Sequence, residues 1–303
     1  VSAPPQTRWP TCTTLTPLTD HPFSARFIWP APAKLNHFLH VTGQRDDGYH
    51  SLQTVFQFID LQDELVFTAR GDGQIRLLNA PAGLQGDDNL ILRAARLIQR
   101  MSGAPIGADI HLTKRIPVGG GLGGGSSNAA TTLVALNRLW NLGFPLDELA
   151  GYGAMLGADV PVFVRGRAAW GEGIGDRLTP MALPEQPVVL VIPPVSVSTA
   201  SIFNDPELPR DHARVEWDDF WAGRCGNDCE AVVCRRHPEV AEALAALRTH
   251  GPARLSGTGA AVFLPCDSQA AAQAVLDQLP KNWTKRVVQG LNHSPLAAIL
   301  RGL

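Results

Sequence analysis

The chain has 303 residues, 45% of them hydrophobic and 18% charged, a balance typical of a globular protein that excludes a disordered or coiled-coil chain. Its 26 basic and 28 acidic residues leave a formal net charge of −2, so it lacks the basic excess of proteins that bind the phosphate backbone of nucleic acids. Gly, Pro or a charged residue interrupts every apolar stretch before it reaches about 18 residues, the length needed to span a membrane. We therefore expect no membrane partner, and the charge balance predicts no nucleic-acid partner.

Residues 1–25 are predicted to form a loose N-terminal extension. They contain Pro, Thr and polar residues but no continuous apolar segment of the kind found in a secretory signal. With only Arg8 within it and Arg26 directly after it, this region is also poorer in Arg than an organelle transit peptide. The absence of a targeting signal predicts a cytoplasmic protein, and the length of the chain predicts two packed lobes.

The first clear elements precede a glycine-rich loop. Residues 88–98 begin with Asp88, a helix-capping residue type, and repeat apolar side chains at helical spacing, which predicts an amphipathic helix. Residues 108–112 alternate apolar residues with Asp109 and His111, the pattern of a half-buried strand. The glycine-rich loop follows this strand.

A second helix is predicted directly after the loop. Apolar side chains recur at helical spacing from residue 128 to Trp140. Ser126, Ser127 and Asn128 are all favoured N-cap types and predict that the helix begins there, against the loop. The order of elements is then strand, glycine loop and helix.

Further elements follow toward the C-terminus. Residues 147–156 are predicted to be helical, and residues 188–192 form a short β-branched run typical of a buried strand. Apolar spacing predicts helices over residues 239–249 and 268–279, and residues 254–263 indicate a tight glycine turn entering a strand. Helices and strands without a regular βαβ alternation predict an α+β fold.

The glycine loop indicates an anion-binding site. Six of the seven residues 119–125 are glycine, interrupted only by Leu122, so uncovered backbone N–H groups can surround an anion. The N-terminus of the following helix adds partial positive charge, which favours a triphosphate. The loop is not a Walker A motif, because Gly125 is followed by Ser126 instead of Lys, and its glycine spacing does not fit a Rossmann turn. A flexible linker, the alternative, is not usually held between a strand and a capped helix.

Five cysteines, an odd number without a repeated CxxC, predict reduced thiols rather than a disulfide framework. Cys225, Cys229 and Cys234 lie close together in sequence and could form a zinc site only with a fourth ligand such as His237. Cysteine is more often simply buried, and we favour burial for this cluster.

Three segments of the chain resemble the three motifs of the GHMP small-molecule kinases. They are Pro32-Ala-Lys-Leu-Asn36, Gly119–Ser127 and Leu255-Ser-Gly-Thr-Gly-Ala260, in that family's order. The resemblance implies an α+β, two-lobe fold with the active site in the interlobe cleft, an N-terminal ATP-binding lobe over residues 26–180 and a C-terminal lobe over residues 181–303. It also implies ATP as the phosphoryl donor, with Mg²⁺ because phosphoryl transfer generally needs a cation that bridges the phosphates.

A further segment resembles one group of these kinases more closely. Asp46-Asp-Gly-Tyr-His50 is similar to members whose small-molecule substrate is a sugar alcohol linked to cytidine diphosphate. Residues 156–163 and 226–230 also resemble these members, so the similarity extends over roughly residues 27–300. The resemblance therefore implies a substrate of this class.

The resemblance also implies roles for single residues. Asp159 is implied as the catalytic base and Lys34 as its charged neighbour, while Ser256 and Thr258 shape the site from the C-terminal lobe. The pairing is chemically reasonable, because a carboxylate can accept the proton of an attacking hydroxyl group and an ammonium group can hold that carboxylate ionised. The residues implied to bind ATP are Pro117, Val118, Gly119, Gly120, Gly121, Leu122, Gly123, Gly124, Gly125, Ser126 and Ser127.

Four further residues are implied to bind the acceptor. The ring of Tyr49 stacks on the cytosine, the imidazole of His50 hydrogen-bonds the edge of the base, and Phe203 supplies the opposite stacking face. Asn36 contacts the substrate near its reacting end. The sequence identifies neither the magnesium ligands nor the oligomeric state.

Three alternatives stay open at this point. A GHMP kinase could act on homoserine or a mevalonate-type alcohol, because the glycine loop binds ATP and not the acceptor, although Tyr49 and His50 favour cytidine. A protein of this family could instead only sense a nucleotide, but a sensor does not need both Lys34 and Asp159. A DNA-binding regulator conflicts with the near-neutral charge and with the absence of a basic helix or zinc-finger spacing.

Overall fold

The computed structural model describes residues 27–80, 83 and 85–302. The predicted extension over residues 1–25 lies outside these described residues. Within them, no helix combines the length and the apolar character that crossing a membrane requires.

The described strands form one connected sheet with helices packed against it, as predicted for an α+β fold. The strands are β1 (Ile28–Gln44), β2 (His50–Arg70), β3 (Ile75–Leu77), β4 (Gly107–Thr113), β5 (Ala169–Glu172), β6 (Arg177–Pro180), β7 (Pro187–Ile192), β8 (Arg254–Leu255), β9 (Val262–Pro265) and β10 (Thr284–Leu291). Their main order is β3-β4-β2-β10-β7-β9-β8, with β1 beside β2, and with β5 between β2 and β6. The pairing of β10 with β2 joins the two halves of the sheet.

Helices cover the sheet over two main apolar cores. They are α1 (Leu90–Ser102), α2 (Gly124–Leu139), α3 (Leu146–Ala154), α4 (Val160–Arg165), α5 (Thr199–Phe203), α6 (Trp217–Trp221), α7 (Glu230–Arg236), α8 (Pro238–Arg248), α9 (Gln269–Gln278) and α10 (Pro295–Gly302). One core joins β2 and β4 to α1–α4, and the other joins β7 and β9 to α7 and α8. Leu296 of α10 packs in the first core. The lobe boundary between residues 180 and 181 stays a prediction.

The two longest strands, β1 and β2, carry no alternating pattern that would predict them. β1 is buried on both faces over most of its length, and β2 over residues 52–59. Burial alternates in the second half of β2, but the charged Asp63 occupies one of its buried positions and hides the pattern. Pro32 also looks like a strand breaker, but the pairing of β1 with β2 shifts register directly after it. The hairpin matters for the site because it carries Lys34, opposite Phe58, and Asn36, opposite Phe56.

Five predicted elements are confirmed to within a few residues. The strands predicted over residues 108–112 and 188–192 are β4 and β7. The helices predicted over residues 147–156, 239–249 and 268–279 are α3, α8 and α9. Each has the regular apolar spacing or the short β-branched run from which such elements can be predicted locally.

The predicted capping residue of α1 is wrong by one position. The helix begins at Leu90, and the side chain of Asn89 accepts the capping bond from the Ile91 N–H at 2.8 Å. Asp88 lies one residue before the cap. Because Asp and Asn are equally good N-cap types, residue type alone does not choose between them.

The predicted start of α2 is also wrong. The helix begins at Gly124, so Ser126, Ser127 and Asn128 lie inside it and not at its N-cap. The N-cap is Gly123, which has a left-handed φ of +71° and makes no side-chain capping bond. The backbone of the glycine loop, and not a polar side chain, therefore sets the start of this helix.

Candidate active site

A cavity of about 490 Å³ brings the three motif segments together. Lys34 and Asn36 reach it from β1, Asp159 from the start of α4, and Thr258 from the turn between β8 and β9. Residues 117–126 of the glycine loop form one wall. A cavity of this size suits a small-molecule ligand.

Neighbouring segments bind the carbonyl groups of the glycine loop. The N–H groups of residues 260–261 donate to the carbonyls of residues 119–120, each at 3.0 Å. Ser256 Oγ donates to the carbonyl of Gly121 at 3.1 Å, and the backbone N–H of Lys34 donates to the next loop carbonyl at 3.0 Å. The loop is therefore held from both sides by the first and third motifs.

The N–H groups of the loop are left for a ligand. Within the described part of the chain, none of the backbone N–H groups from Gly121 to Ser126 donates a hydrogen bond. Those of residues 124–126 belong to the first turn of α2, where the helix dipole is positive. Free N–H groups of a glycine loop at a helix N-terminus form a site for phosphate groups.

The close packing of the loop depends on glycine at Gly121. Its φ is +70°, in the left-handed region, and a Cβ atom there would lie 2.2 Å from the carbonyl oxygen of Ser256. Gly119 has the same φ, and its Cβ would lie 2.1 Å from Ser196 Oγ. A side chain at Gly121 would push the third motif away from the loop, and one at Gly119 would displace Ser196.

Lys34 lies beside the loop with its side chain buried. Its Nζ is 3.5 Å from Asp159 Oδ2 and 3.0 Å from the carbonyl oxygen of Gly121, and it also donates to Asn36 Oδ1. Asn36 Nδ2 donates in turn to Thr54 Oγ1 at 2.8 Å. The cation is thus held between a carboxylate and the phosphate site, where negative charge would develop during phosphoryl transfer.

The carboxylate of Asp159 is available to a ligand. Asp159 occupies the N-cap position of α4, but its side chain accepts no capping bond. The side chain is 31% exposed and lines the cavity. Helix capping, the ordinary explanation for an aspartate at this position, therefore does not account for it.

The residues predicted to bind cytidine are only partly brought together. Phe203 lines the cavity, and its ring stacks on that of His50 with centroids 5.2 Å apart. His50 is buried behind this ring and does not itself line the cavity, and its Nε2 accepts a hydrogen bond from Arg210 Nε at 3.1 Å. Tyr49 is 57% exposed and lies outside the cavity wall.

Two other predicted site residues are sealed away from the cavity. Ser127, at the end of the predicted ATP loop, and Ser256 are fully buried and do not line it. Ser256 acts on the site indirectly, because its Oγ accepts from the Asn36 N–H at 3.2 Å. Thr258 does line the cavity, with its hydroxyl oxygen 3.0 Å from that of Thr199.

Lys114 is a cavity residue that the sequence does not reveal. It lines the cavity next to the loop and forms an ion pair at 2.7 Å with the buried Asp63. Burial lowers the pKa of Lys114, and Asp63 partly opposes this effect. The local signal is only a basic pair, Lys114 and Arg115, and such a pair is usually a solvated surface feature.

The cysteine cluster does not form a metal site. In the part of the chain that the structure describes, the metal-like grouping of side chains is His40, His212 and Asp228, without a cysteine. Cys225 and Cys229 are buried free thiols, and burial raises the pKa of Cys229 to about 12. Burial is therefore confirmed for two members of this cluster, whose thiols are shielded from reaction, whereas Cys234 is only half-buried.

Known proteins share both the sequence and the fold of this chain. The chain matches the family models "GHMP kinases N terminal domain" over residues 89–167 and "GHMP kinases C terminal" over residues 202–285. It is 54% identical over 273 residues to a 4-diphosphocytidyl-2-C-methyl-D-erythritol kinase of Pseudomonas aeruginosa (strain LESB58), a match that covers 90% of the chain and 97% of that protein. The chain belongs to the 4-diphosphocytidyl-2-C-methyl-D-erythritol kinase family.

Solved structures agree with this membership. The crystal structure of a 4-(cytidine 5'-diphospho)-2C-methyl-D-erythritol kinase is 33% identical, with a TM-score of 0.75 and coverage of 87% of this chain and 99% of that chain. A mevalonate kinase at 17% identity, with a TM-score of 0.64 and coverage of 88% and 99%, shares the fold alone. The predicted GHMP kinase fold and the prediction of an ATP-dependent kinase are therefore confirmed.

Proposed function

We propose that this kinase transfers the γ-phosphoryl group of ATP to the 2-hydroxyl group of 4-diphosphocytidyl-2-C-methyl-D-erythritol, in non-mevalonate isoprenoid precursor biosynthesis. The observation that carries the proposal is the 3.5 Å contact between Lys34 and Asp159 in a cavity walled by the glycine loop. Phosphoryl transfer needs such a pair, and nucleotide sensing does not. The relatives of the same name at 54% identity support the choice of acceptor.

The triphosphate of ATP binds against residues 121–126. Their uncommitted N–H groups and the positive end of α2 complement its negative charge. Lys114 adds a second cation at this wall of the cavity. The phosphates then lie beside Lys34, which contacts the same loop through the Gly121 carbonyl.

Mg²⁺ accompanies ATP in this proposal. The ion prefers oxygen ligands and usually combines one or two protein groups with phosphates and waters. The cavity wall offers the Ser126 hydroxyl group, the Asp159 carboxylate and the amide oxygen of Asn128, a buried atom without a hydrogen-bond partner among the described residues. These groups fit the ion, which when bound neutralises charge on the β- and γ-phosphates.

Asp159 acts as the general base. Its carboxylate accepts the proton of the 2-hydroxyl group while that oxygen bonds to the γ-phosphorus and the bond to the β,γ-bridging oxygen breaks, so that ADP leaves with the electron pair. Lys34 offsets the negative charge on the transferred group. Asn36, which contacts both Lys34 and Thr54, keeps the ammonium group in place and faces the reacting end of the acceptor.

The cytidine end of the acceptor lies toward Phe203. This ring offers a face for stacking, and His50, which packs on it, offers a polar edge to the base. Tyr49 is exposed and free to cover the opposite face of the cytosine. An aromatic stack with one polar contact recognises an unpaired pyrimidine.

The test is ADP release from ATP and Mg²⁺ with the cytidine-diphosphate acceptor, run beside homoserine and mevalonate. We expect turnover with the cytidine acceptor alone. Asp159→Asn should lower kcat by about 10²–10⁴-fold, the range of general-base catalysis, with ATP binding retained. Asp147→Asn is the matched control, because Asp147 is an exposed aspartate of α3 that pairs with Arg165 outside the cavity.

Each outcome of this assay has a distinct meaning. Turnover with homoserine or mevalonate would keep the kinase and refute the cytidine acceptor. ATP binding without turnover of any acceptor would favour a nucleotide sensor. An unchanged kcat in Asp159→Asn would remove Asp159 from the role of base.

A further inference from the structure

Arg210 contacts both His50 and Phe203. Its Nε donates to His50 Nε2 at 3.1 Å, and its Nη2 donates to the carbonyls of Phe203 at 2.8 Å and Asp205 at 2.7 Å. A further bond runs from Nη1 to the carbonyl of Leu208 at 3.0 Å. Three of these bonds stay within the segment after α5, and the bond to His50 ties that segment to the start of β2.

The bond from Arg210 decides which nitrogen of His50 carries the proton. A guanidinium group donates hydrogen bonds and cannot accept them, so Nε2 of His50 must present its lone pair. A neutral imidazole then carries its proton on Nδ1. Nδ1 has no hydrogen-bond partner in the described part of the chain and is not sealed from solvent, so it is the ring atom left for a ligand.

The environment of His50 favours the neutral ring. Burial, and after it the positive charge of Arg210, lower the pKa of His50. A neutral ring has one donor and one acceptor, and Arg210 occupies the acceptor. His50 therefore offers a ligand one N–H donor and no acceptor.

We propose that Arg210 is a positioning residue that fixes His50 as a donor to N3 of cytosine, so that the kinase accepts cytidine and rejects uridine acceptors. The inference rests on the proposed function. N3 of cytosine is an acceptor, whereas N3 of uracil carries a hydrogen, so a fixed Nδ1–H meets a lone pair in one base and a second N–H in the other. A site built to hydrogen-bond a substrate group rejects an analogue that leaves the site's polar group unpaired.

Arg210 also sets the position of the stacking ring. Its bond to the Phe203 carbonyl holds the end of α5, and the Phe203 ring lies nearly parallel to that of His50, at 24°. One side chain thus aligns both the stacking face and the edge donor. The glycine loop is held separately by residues 256–261, so loss of Arg210 should alter acceptor selection and not ATP binding.

Two variants separate this role from a merely structural one. Arg210→Leu removes the donor to Nε2, so we expect ¹⁵N NMR of His50 in the ligand-free protein to show the proton moving from Nδ1 to Nε2. The ratio of kcat/KM for cytidine- over uridine-diphosphate-linked methylerythritol should fall by about tenfold or more, the value of one hydrogen bond, with an unchanged KM for ATP. Arg210→Lys keeps a cationic N–H donor but loses the forked backbone bonds, and it should restore the Nδ1 proton and most of the selectivity.

Arg236→Leu is the matched control. Arg236 pairs with Asp205 and donates to the carbonyl of Ser201 at 3.3 Å, so it anchors the same segment without touching His50. It should change neither the tautomer nor the selectivity.

Several outcomes would overturn the inference. A wild-type protein with the His50 proton on Nε2 would do so without any variant, as would unchanged selectivity in Arg210→Leu. Equal losses in Arg210→Leu and Arg210→Lys with an unmoved proton would leave Arg210 a structural role only. Absence of wild-type turnover with the cytidine acceptor would instead refute the proposed function, while the NMR measurement would still decide the tautomer.

Discussion

The end of the cavity where we propose that phosphates bind, the phosphate end, and the end where we propose that the base binds, the base end, are built in different ways. At the phosphate end, a contiguous loop is held through its carbonyls by the backbone of residues 260–261 and by the Ser256 hydroxyl group. At the base end, His50 and Arg210 are 160 positions apart in sequence and meet, together with Phe203, through side chains. Backbone-to-backbone hydrogen bonds therefore predominate at the phosphate end, whereas the contacts at the base end are made by side chains.

This difference determines what each end tolerates. Where the loop packs backbone to backbone at Gly121, it has no room for a Cβ atom, so a small substitution there should damage both the fold and nucleotide binding. Side chains that meet across the base end can be changed singly. Such changes should alter acceptor recognition and leave the loop intact.

Gly121→Ala should have the largest effect and is the strongest test of the phosphate end. A left-handed φ costs a residue with a Cβ about 1–2 kcal/mol. Overpacking against the Ser256 carbonyl costs about 1–3 kcal/mol more. We expect a total loss of about 3 kcal/mol, divided between the free energy of unfolding in urea and the free energy of ATP binding.

Gly120→Ala is the matched control for this prediction. Its φ is not left-handed, and its Cβ would meet the Pro117 carbonyl oxygen at 3.5 Å, an ordinary contact. We expect a loss below about 1 kcal/mol. Equal losses in the two variants would show that the packing of the loop does not depend on Gly121.

Phe203→Ala tests whether the base end is independent of the loop. Loss of one base–aromatic stack should cost about 2 kcal/mol, or roughly a 30-fold rise in the KM for the cytidine acceptor. The KM for ATP should not change. Trp221→Ala is the control, because Trp221 is a half-exposed aromatic residue outside the cavity wall. A comparable rise in the KM for ATP would contradict the separation of the two ends.

The smallest effect concerns acidic pH and the strand that carries Lys34. Burial lowers the pKa of His37 from 6.5 to about 4, although its hydrogen bond to Gln57 at 2.7 Å acts in the opposite direction. As the pH falls below 6.5, the unfolded chain binds the proton first, so stability is lost from pH 6.5 down to about pH 4. Between pH 6.5 and pH 5.5, His37 should lower the free energy of unfolding by about 1 kcal/mol.

Urea unfolding at these two pH values measures the effect. His37→Gln should reduce the change between pH 6.5 and pH 5.5 by that amount, whereas His111→Gln, at an exposed position of β4, should not. Identical pH dependence in wild type and His37→Gln would contradict the prediction. Acceptor selectivity should be unaffected by either change, since neither residue lies at the base end.

Local pattern predicts much of the fold and of the phosphate end. Alternation and helical spacing predict β4, α3, α8 and α9, and the glycine run predicts the phosphate site, because each signal is complete within a few residues. The β1–β2 hairpin escapes prediction because β1 and residues 52–59 of β2 are buried on both faces, and because the charged Asp63 occupies a buried position in the rest of β2. Lys114 escapes it because the burial and the ion pair with Asp63, 51 positions away, leave no local trace.

By itself, the sequence determined the class of chemistry and the family, because glycine spacing and short motifs depend only on residue type and local order. Only the tertiary structure decided which groups meet. It brings Lys34 to Asp159 and leaves the Asp159 carboxylate without a helix-capping bond. It also places the guanidinium group of Arg210 within hydrogen-bond distance of His50 Nε2. Contacts between residues more than a hundred positions apart arise from strand pairing and helix packing, which no local pattern in the chain records.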